Sequence, residues 1–282
     1  MPDGPLVDPH PLSRLWRSPP MRIPIYQLDA FTDRRFAGNP AAICPLEAWL
    51  PDATLQAIAA ENNLSETAFL VPAADGYELR WFTPATEVDL CGHATLASGE
   101  VVFRFLAPDL REVRFRTRRA GVLTVSRRGD ELVMDFPGRP PARVEPPAAL
   151  AAALGAAPRE VLAGERDYLA VFERAGDVRA LRPDMRALAT LDRSAVVVTA
   201  PGEGGVDFVS RFFAPSLGVD EDPVTGSAHC VLAPYWAKRL GRKSLKARQL
   251  SARGGDIACE VAGDRVLLAG KVALYLEGAI TV

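Results

Sequence analysis

The sequence has few residues that could form a zinc site or a disulfide framework. Its four cysteines lie far apart, no two form a CxxC pair, and none combines with a histidine at the spacing of zinc ligands. We therefore interpret them as free thiols of a protein in a reducing compartment, and we predict no metal site. The cysteines are Cys44, Cys91, Cys230 and Cys259.

The sequence also lacks an excess of positive charge and a long apolar run. The formal net charge is -2, the isoelectric point is near 6.0, and no segment is dense in lysine and arginine. A nucleic-acid backbone would require such a basic surface. No run of about 18 apolar residues is present to span a bilayer. We therefore expect neither nucleic acid nor a membrane as a partner.

Residues 1–20 lack the continuous apolar core of a secretory signal. Their sequence, "MPDGPLVDPHPLSRLWRSPP", is rich in proline instead. We interpret this segment as a flexible leader and expect the folded part to start near Met21. A cytoplasmic location follows from this interpretation.

An internal repeat is the most informative feature of the sequence. Residues 80–89, "RWFTPATEVD", align without a gap with residues 211–220, "RFFAPSLGVD", and five of the ten positions are identical. Each match follows a β-type run and a glycine-containing turn, and it precedes an apolar helix-like segment and three strand-like runs. The chain of 282 residues is long enough for two such units.

The two helix-like segments begin at Gly92 and Gly226 and are apolar on almost every face, so each should be surrounded by other structure. We predict an α+β fold of two similar domains, each a curved, mostly antiparallel sheet wrapped around a central helix. The proline cluster "GRPPARVEPP" suggests domains at residues 21–140 and 141–282, and the final strand is a candidate to return to the first domain. We expect Pro234 to kink the second helix.

Duplicated halves often place corresponding elements around a pseudo-twofold axis, with a cleft between them. The corresponding elements here are the helix starts at Gly92-His93 and Gly226-Ser227. A free helix start offers unpaired N–H groups and the positive end of the helix dipole. Two starts that face one cleft would bind an anion such as a substrate carboxylate. The alternative is that Gly92 and Gly226 are ordinary turn glycines.

The segments "ENNLSETAFL", "EVDLCGHATLAS", "RFFAP" and "EDPVTGSAHCVLAPYWAKRLG" resemble the PhzF-like family, the phenazine biosynthesis isomerase group within the diaminopimelate-epimerase-like fold. The resemblance runs from about Ile23 to Leu268. It implies a cofactor-independent, homodimeric isomerase whose two similar domains close over the active site.

The resemblance also implies site residues. Glu66 in "LSETAF" matches the glutamate that, in a family member acting on a dihydro-hydroxyanthranilate, takes a proton from one ring carbon and returns it to another. His93, Asp222 and Ser227 match residues that orient polar groups of the substrate and assist proton movement. The backbone N–H groups expected to bind the substrate carboxylate belong to Gly92, His93, Gly226 and Ser227.

Each side chain also has a purely structural interpretation. Glu66 fits a solvated residue at the start of a strand. His93 and Ser227 fit helix caps, and Asp222 precedes a proline, where aspartate commonly initiates a turn. His229 and Cys230 lie inside the second helix, and we predict that they belong to the core.

A two-thiol racemase is an alternative on the same fold. Diaminopimelate epimerases and proline racemases use two cysteines, and Cys91 resembles the first of them. The second should lie two positions before the "TG" of the other half, where this sequence has Pro223. Cys230 lies a full helical turn past the motif, so the two-thiol alternative is disfavoured.

Only one half carries the acid. The ungapped repeat places the counterpart of Glu66 near Val197. One base on one side of a substrate favours proton removal and return on the same face, which gives isomerisation rather than inversion. A protein that binds a small carboxylate without converting it is a further alternative.

Overall fold

The structure is a computed structural model that describes residues 21–282. The leader predicted for residues 1–20 lies outside the described residues. The strands are β1 Arg22–Ala30, β2 Asn39–Pro45, β3 Glu66–Ala73, β4 Gly76–Phe82, β5 Glu87–Val88, β6 Glu112–Thr117, β7 Val122–Arg128, β8 Glu131–Pro137, β9 Ala142–Arg143, β10 Glu160–Ala163, β11 Asp167–Val171, β12 Ala195–Pro201, β13 Phe208–Phe213, β14 Ser244–Gln249, β15 Gly255–Ala262, β16 Arg265–Gly270 and β17 Val272–Thr281. The α-helices are α1 Asp52–Asn62, α2 Gly92–Val101, α3 Leu150–Leu154, α4 Ala175–Ala180, α5 Met185–Leu188 and α6 Gly226–Leu240.

The two halves share one strand connectivity. In the first half, β2 is parallel to β3, β3 is antiparallel to β4, and β4 is parallel to β6. In the second half, β11, β12, β13 and β14 repeat these three pairings in the same order. The buried and exposed residues of β6 and β14 alternate, as expected for strands with one face on a core. The internal repeat in the sequence therefore reflects a repeated fold.

Helix α2 lies inside the first half. It packs against β1, β2, β3, β7 and β8, and eight of its ten residues are buried. Gly99 permits the close approach to β7, because a Cβ atom at this position would lie 2.6 Å from Cγ1 of Val125. The helix continues as a π-helical turn over Val102–Leu106. A central helix within a mostly antiparallel sheet confirms the predicted α+β class.

Helix α6 occupies the corresponding place in the second half, against β14, β15 and β16. It runs through Pro234 to Leu240 without ending at the proline. Pro234 cannot donate to the carbonyl of Cys230, one turn earlier. The backbone N–H of Arg139 donates to that carbonyl instead, at 2.8 Å. The hydrogen bond lost at the proline is therefore replaced by one from the segment that links the two halves.

Two strand pairings connect the halves. Strand β16 is antiparallel to β8, and β17, at the end of the chain, is antiparallel to β1. The largest hydrophobic cluster includes side chains from both central helices, such as Leu96 and Leu232. The domain limits at residue 140 stay a prediction. No helix within residues 21–282 combines the length and the apolar character needed to cross a bilayer.

Candidate active site

The starts of the two central helices lie against each other. A Cβ atom on Gly92 would be 3.7 Å from the Cα atom of Gly226, and one on Gly226 would be 3.8 Å from that of Gly92. Cys91 and Thr225 hold the N-cap positions with extended backbones, and within residues 21–282 no side chain caps either helix. The N–H groups of two first turns therefore meet in one place, as the repeat suggested.

The interpretation of His93 and Ser227 as helix caps is wrong. His93 and Ser227 each follow the first glycine of their helix, so neither is the N-cap. The imidazole of His93 is buried, whereas Ser227 is exposed. The N–H groups of both residues belong to first turns that face the junction of the halves.

Glu66 begins β3 and lies beside His93. Its Oε2 atom is 3.1 Å from Nε2 of His93, and only 18% of the glutamate side chain is exposed. Both atoms are buried, and neither has a hydrogen-bond partner in aligned geometry within the described chain. The interpretation of Glu66 as a solvated strand residue is therefore wrong. The carboxylate is held near an imidazole with little water around it.

The opposite side of the same imidazole contacts a thiol. Sγ of Cys91 is 3.5 Å from Nδ1 of His93. Burial acts to lower the pKa of His93, but the charge of Glu66 and the contacts of the ring with Glu66 and Cys91 oppose it and raise the pKa above its usual value. Burial and the charge of Glu66 raise the pKa of the Cys91 thiol to about 11, against the opposing effect of His93. Cys91 is therefore a protonated thiol at neutral pH.

Asp222 belongs to the same electrostatic cluster. Its Oδ1 accepts a hydrogen bond from Nδ2 of Asn39 at 2.8 Å, and its Oδ2 accepts one from Oγ1 of Thr225 at 2.5 Å. Burial raises the pKa of Asp222 to about 6, and the charge of Glu66 adds to the rise, while His93 and the two hydrogen bonds oppose it. The structure therefore brings Glu66, His93 and Asp222 together.

Three metal-ligating side chains, Glu66, Cys91 and His93, lie close to one another. The ring of His93 presents Nε2 to the carboxylate and Nδ1 to the thiol. A single ion bound to all three residues would need one ring nitrogen to face both neighbours. The two ring nitrogens of His93 point to different neighbours, which does not suit one ion bound to all three side chains.

The chain was compared with known proteins. The sequence profile of a family described as phenazine biosynthesis-like protein matches residues 28–278. This chain belongs to the phenazine biosynthesis-like family. An uncharacterized isomerase of Pseudomonas aeruginosa is 53% identical over 260 residues, which are 92% of this chain and 99% of that protein. Its name agrees with the predicted enzyme class.

Solved structures support the same family and its fold. A phenazine biosynthesis protein of the PhzF family from Enterococcus faecalis is 45% identical and has a TM-score of 0.90, covering 93% of this chain and all of that one. A hydroxyproline epimerase from Agrobacterium vitis is 12% identical with a TM-score of 0.56, covering 93% of each chain. The second likeness shows the fold alone, and it confirms the predicted epimerase-like architecture.

Two polar residues near the site, Asn39 and Gln249, were not predicted from the sequence. Asn39, at the start of β2, joins the halves because its Nδ2 also donates to the carbonyl of Val224 at 2.9 Å. Gln249 is fully buried; its Oε1 accepts from the N–H of Thr225, and its Nε2 donates to the carbonyl of Asp222. These contacts hold the segment that carries Asp222.

The arginine at the start of each repeat has a structural role. Arg80 forms two hydrogen bonds with Glu87, at 2.7 and 2.8 Å, and Arg211 forms two with Glu221, at 2.8 and 2.9 Å. Both glutamates belong to the connection between a strand and a central helix. The repeated arginine was visible in the sequence, but the two glutamates occupy different positions in the repeat, so the pairing was not.

His229 and Cys230 lie in the core, as predicted. Both are buried, and Nδ1 of His229 is 2.8 Å from the carbonyl oxygen of Thr225. Burial lowers the pKa of His229 to about 4, so its ring is neutral at neutral pH. Burial raises the pKa of Cys230 to about 12. Cys230 therefore does not resemble the thiolate base of a two-thiol racemase.

The second half lacks a counterpart of the Glu66 carboxylate, as predicted, but the position equivalent to Glu66 is not Val197. Arg80 pairs with Phe69 across the first hairpin, whereas Arg211 pairs with Val198 across the second, which is two residues longer. The strand register therefore places Ala195, rather than Val197, at the position of Glu66. Ala195 is buried and carries no ionisable group, so the carboxylate is present in one half alone.

Proposed function

We propose that this protein is a cofactor-independent isomerase that moves a proton on a small, cyclic or open-chain, carboxylate-bearing substrate, with Glu66 as acid and base. The observation that carries the proposal is the buried contact between Glu66 Oε2 and His93 Nε2, 3.1 Å apart, beside two uncapped helix starts. Relatives named as isomerases support the reaction class.

The helix starts are proposed to bind the substrate carboxylate. Their N–H groups come from two halves whose first glycines are in contact, so a carboxylate beside this contact could receive hydrogen bonds from both helix starts. The same donors would stabilise the enolate-like oxygens that form when a neighbouring carbon loses a proton. Such donors typically contribute about 3 kcal/mol each to a barrier.

Glu66 is proposed to transfer the proton. Its carboxylate would take hydrogen from one substrate carbon, breaking a C–H bond and forming an O–H bond. The resulting carboxylic acid would then give the same proton to a second carbon, so that the enzyme ends unchanged and no redox partner is needed. General acid-base catalysis of this kind typically contributes about 10²- to 10⁴-fold in rate.

His93 and Asp222 are proposed to orient polar groups of the substrate and to assist proton movement. Nε2 of His93 lies 3.1 Å from Oε2 of Glu66, which places a titratable ring next to the proposed acid and base. Asp222 is held by side chains from both halves and is half-buried, which suits a fixed contact with a polar substrate group.

A two-thiol racemase receives little support. The N-cap position equivalent to Cys91 is Thr225, and the position expected from the motif is Pro223, so neither carries a thiol. Burial also keeps Cys91 protonated at neutral pH. The alternative of a binding protein without catalysis is left to experiment.

The proposal is tested with a panel of cyclic and amino-acid carboxylates that includes a dihydro-hydroxyanthranilate. Thermal shift identifies the carboxylates that bind, and turnover assays on these compounds follow. Wild-type protein and Glu61→Gln, a matched change at an exposed glutamate of α1, should convert at least one of them. Glu66→Gln should bind it and lose turnover. Binding without turnover by the wild type across the panel would support a binding protein instead.

A further inference from the structure

The thiol of Cys91 has no part in the proposed proton transfer, yet it lies in the same row of groups. Its Sγ atom is 3.5 Å from Nδ1 of His93, and Nε2 of the same ring is 3.1 Å from Oε2 of Glu66. Only 5% of Cys91 is exposed. The imidazole therefore has a different partner at each nitrogen, with a thiol on one side and a carboxylate on the other.

The carboxylate and the thiol favour hydrogen on Nε2 of the neutral ring for different reasons. A neutral imidazole carries hydrogen on one nitrogen, and its neighbours decide which one. A carboxylate can only accept, so a bare Nε2 would place one lone pair against another. A protonated thiol can donate to a bare Nδ1. When the ring is charged, both nitrogens carry hydrogen and the sulfur can accept.

The equivalent residue of the other half behaves in a related way. An N-cap side chain usually accepts a hydrogen bond from the first turn of its own helix. In aligned geometry neither Cys91 nor Thr225 makes such a bond, although the N–H of Ala94 still acts to lower the pKa of the Cys91 thiol. Thr225 donates to the carboxylate of Asp222, and Cys91 contacts His93. In both halves the N-cap side chain therefore contacts a polar group of the site.

We propose that Cys91 is a positioning residue, whose thiol engages Nδ1 of His93 and thereby keeps the hydrogen of the neutral ring on Nε2, 3.1 Å from Oε2 of Glu66. This inference rests on the proposed role of Glu66. A hydrogen on Nε2 places a donor rather than a lone pair beside the carboxylate while Glu66 takes and returns the proton. Loss of the thiol would remove one of the two contacts that favour this form, so that a fraction of the neutral rings would carry hydrogen on Nδ1.

The state of His93 can be measured without a substrate. The chain has three histidines, so protein labelled with ¹⁵N-histidine gives three sets of ring signals, and His93→Gln assigns the set that matters. The ¹⁵N shifts, followed upward in pH until the ring is neutral, report which nitrogen carries hydrogen. Wild type and Cys91→Ser should show only the form with hydrogen on Nε2. Cys91→Ala should show the Nδ1–H form as well.

Cys44→Ala is the matched control, because Cys44 is equally buried, is free, and belongs to another cluster. It should leave the His93 signals unchanged. With a carboxylate that turns over, Cys91→Ala should lower kcat by about tenfold with KM within about threefold, and Cys91→Ser should recover most of that loss.

An Nε2–H form that persists alone in Cys91→Ala would overturn the inference. If that variant does not fold, the wild type decides, because an Nδ1–H form in wild-type protein also contradicts it. Failure of the proposed function would differ, since turnover would then persist in Glu66→Gln whatever the state of His93.

Discussion

The two central helices begin in the same way but carry different chemistry. At the start of α2, the carboxylate of Glu66 lies beside an imidazole and has no aligned hydrogen-bond donor within residues 21–282. At the start of α6, both oxygens of Asp222 accept hydrogen bonds, from Asn39 and Thr225. A free carboxylate can exchange a proton, whereas a hydrogen-bonded one is held in place. The comparison supports the proposal that the first half transfers the proton and the second half orients the substrate.

The largest expected effect separates these two carboxylates. Glu66→Gln should lower kcat by about 10²- to 10⁴-fold, because the amide cannot act as a base. Asp222→Asn keeps the shape of the side chain and should raise KM more than it lowers kcat. Steady-state kinetics of both variants, with Glu61→Gln as control, measure the difference. Equal losses of kcat would remove the proposed division of roles.

The raised pKa of Asp222 should appear in the pH dependence of the free energy of unfolding. Burial raises the pKa of its carboxyl in the folded protein to about 6, above the ordinary value of 3.8. The folded state therefore holds the proton more tightly, and the stability gained at low pH is lost as pH rises from about 4 to about 6. The free energy of unfolding should fall by up to about 3 kcal/mol relative to Asp222→Asn over this interval. Denaturant unfolding at pH 4 and pH 7 tests this, and a difference that does not change with pH would contradict it.

Packing should differ between the two helices at one equivalent position. Gly99 in α2 corresponds to Ala233 in α6. An alanine at position 99 would overlap Val125, so Gly99→Ala should destabilise the fold by about 1 to 3 kcal/mol. Ala233→Gly should cost about 1 kcal/mol from the greater freedom of the unfolded chain, together with a small loss of packing. We expect Gly99→Ala to be the more destabilising of the two variants, and thermal unfolding of both measures this. A larger loss of stability in Ala233→Gly would show that Val125 does not limit the packing of α2.

The smallest expected effect concerns the helix starts, where the halves should behave alike. A Cβ atom on Gly92 or Gly226 would meet the facing glycine at ordinary contact distance, so both alanine variants should fold. The added methyl group would crowd the N–H groups proposed to bind a carboxylate. We expect KM to rise by about tenfold in Gly92→Ala and in Gly226→Ala, which corresponds to about 1.4 kcal/mol of binding. A rise in one variant alone would show that the carboxylate is bound by one helix.

Local patterns predicted the elements of this fold well. Helices α2 and α6 begin at Gly92 and Gly226, as predicted, because the pattern of an apolar helix depends on neighbouring residues. The repeat predicted the matched helix starts. Resemblance, rather than pattern, pointed to Glu66, since a single glutamate at a strand start carries no signal of burial.

Contacts between distant segments could not be predicted. Asn39 and Asp222 are separated by 183 positions, and Gln249 reaches the segment of Asp222 from a strand of the same half. Nothing in the residues near Asn39 reports such a partner. The error at Val197 has the same origin, because the length of a hairpin changes the register without changing the repeat beside it.

The position of a deuterium label tests the central claim most directly. Wild-type protein is incubated in D₂O with a carboxylate that it converts, and NMR locates the label. We predict that the second carbon receives the substrate's own proton, with deuterium there only in the fraction of turnovers in which the Glu66 proton exchanges with solvent first. We also predict no inverted substrate, and loss of both exchange and conversion in Glu66→Gln. Inversion that persists in Glu66→Gln and disappears in Cys91→Ala would contradict the account, because it would assign the proton to the thiol.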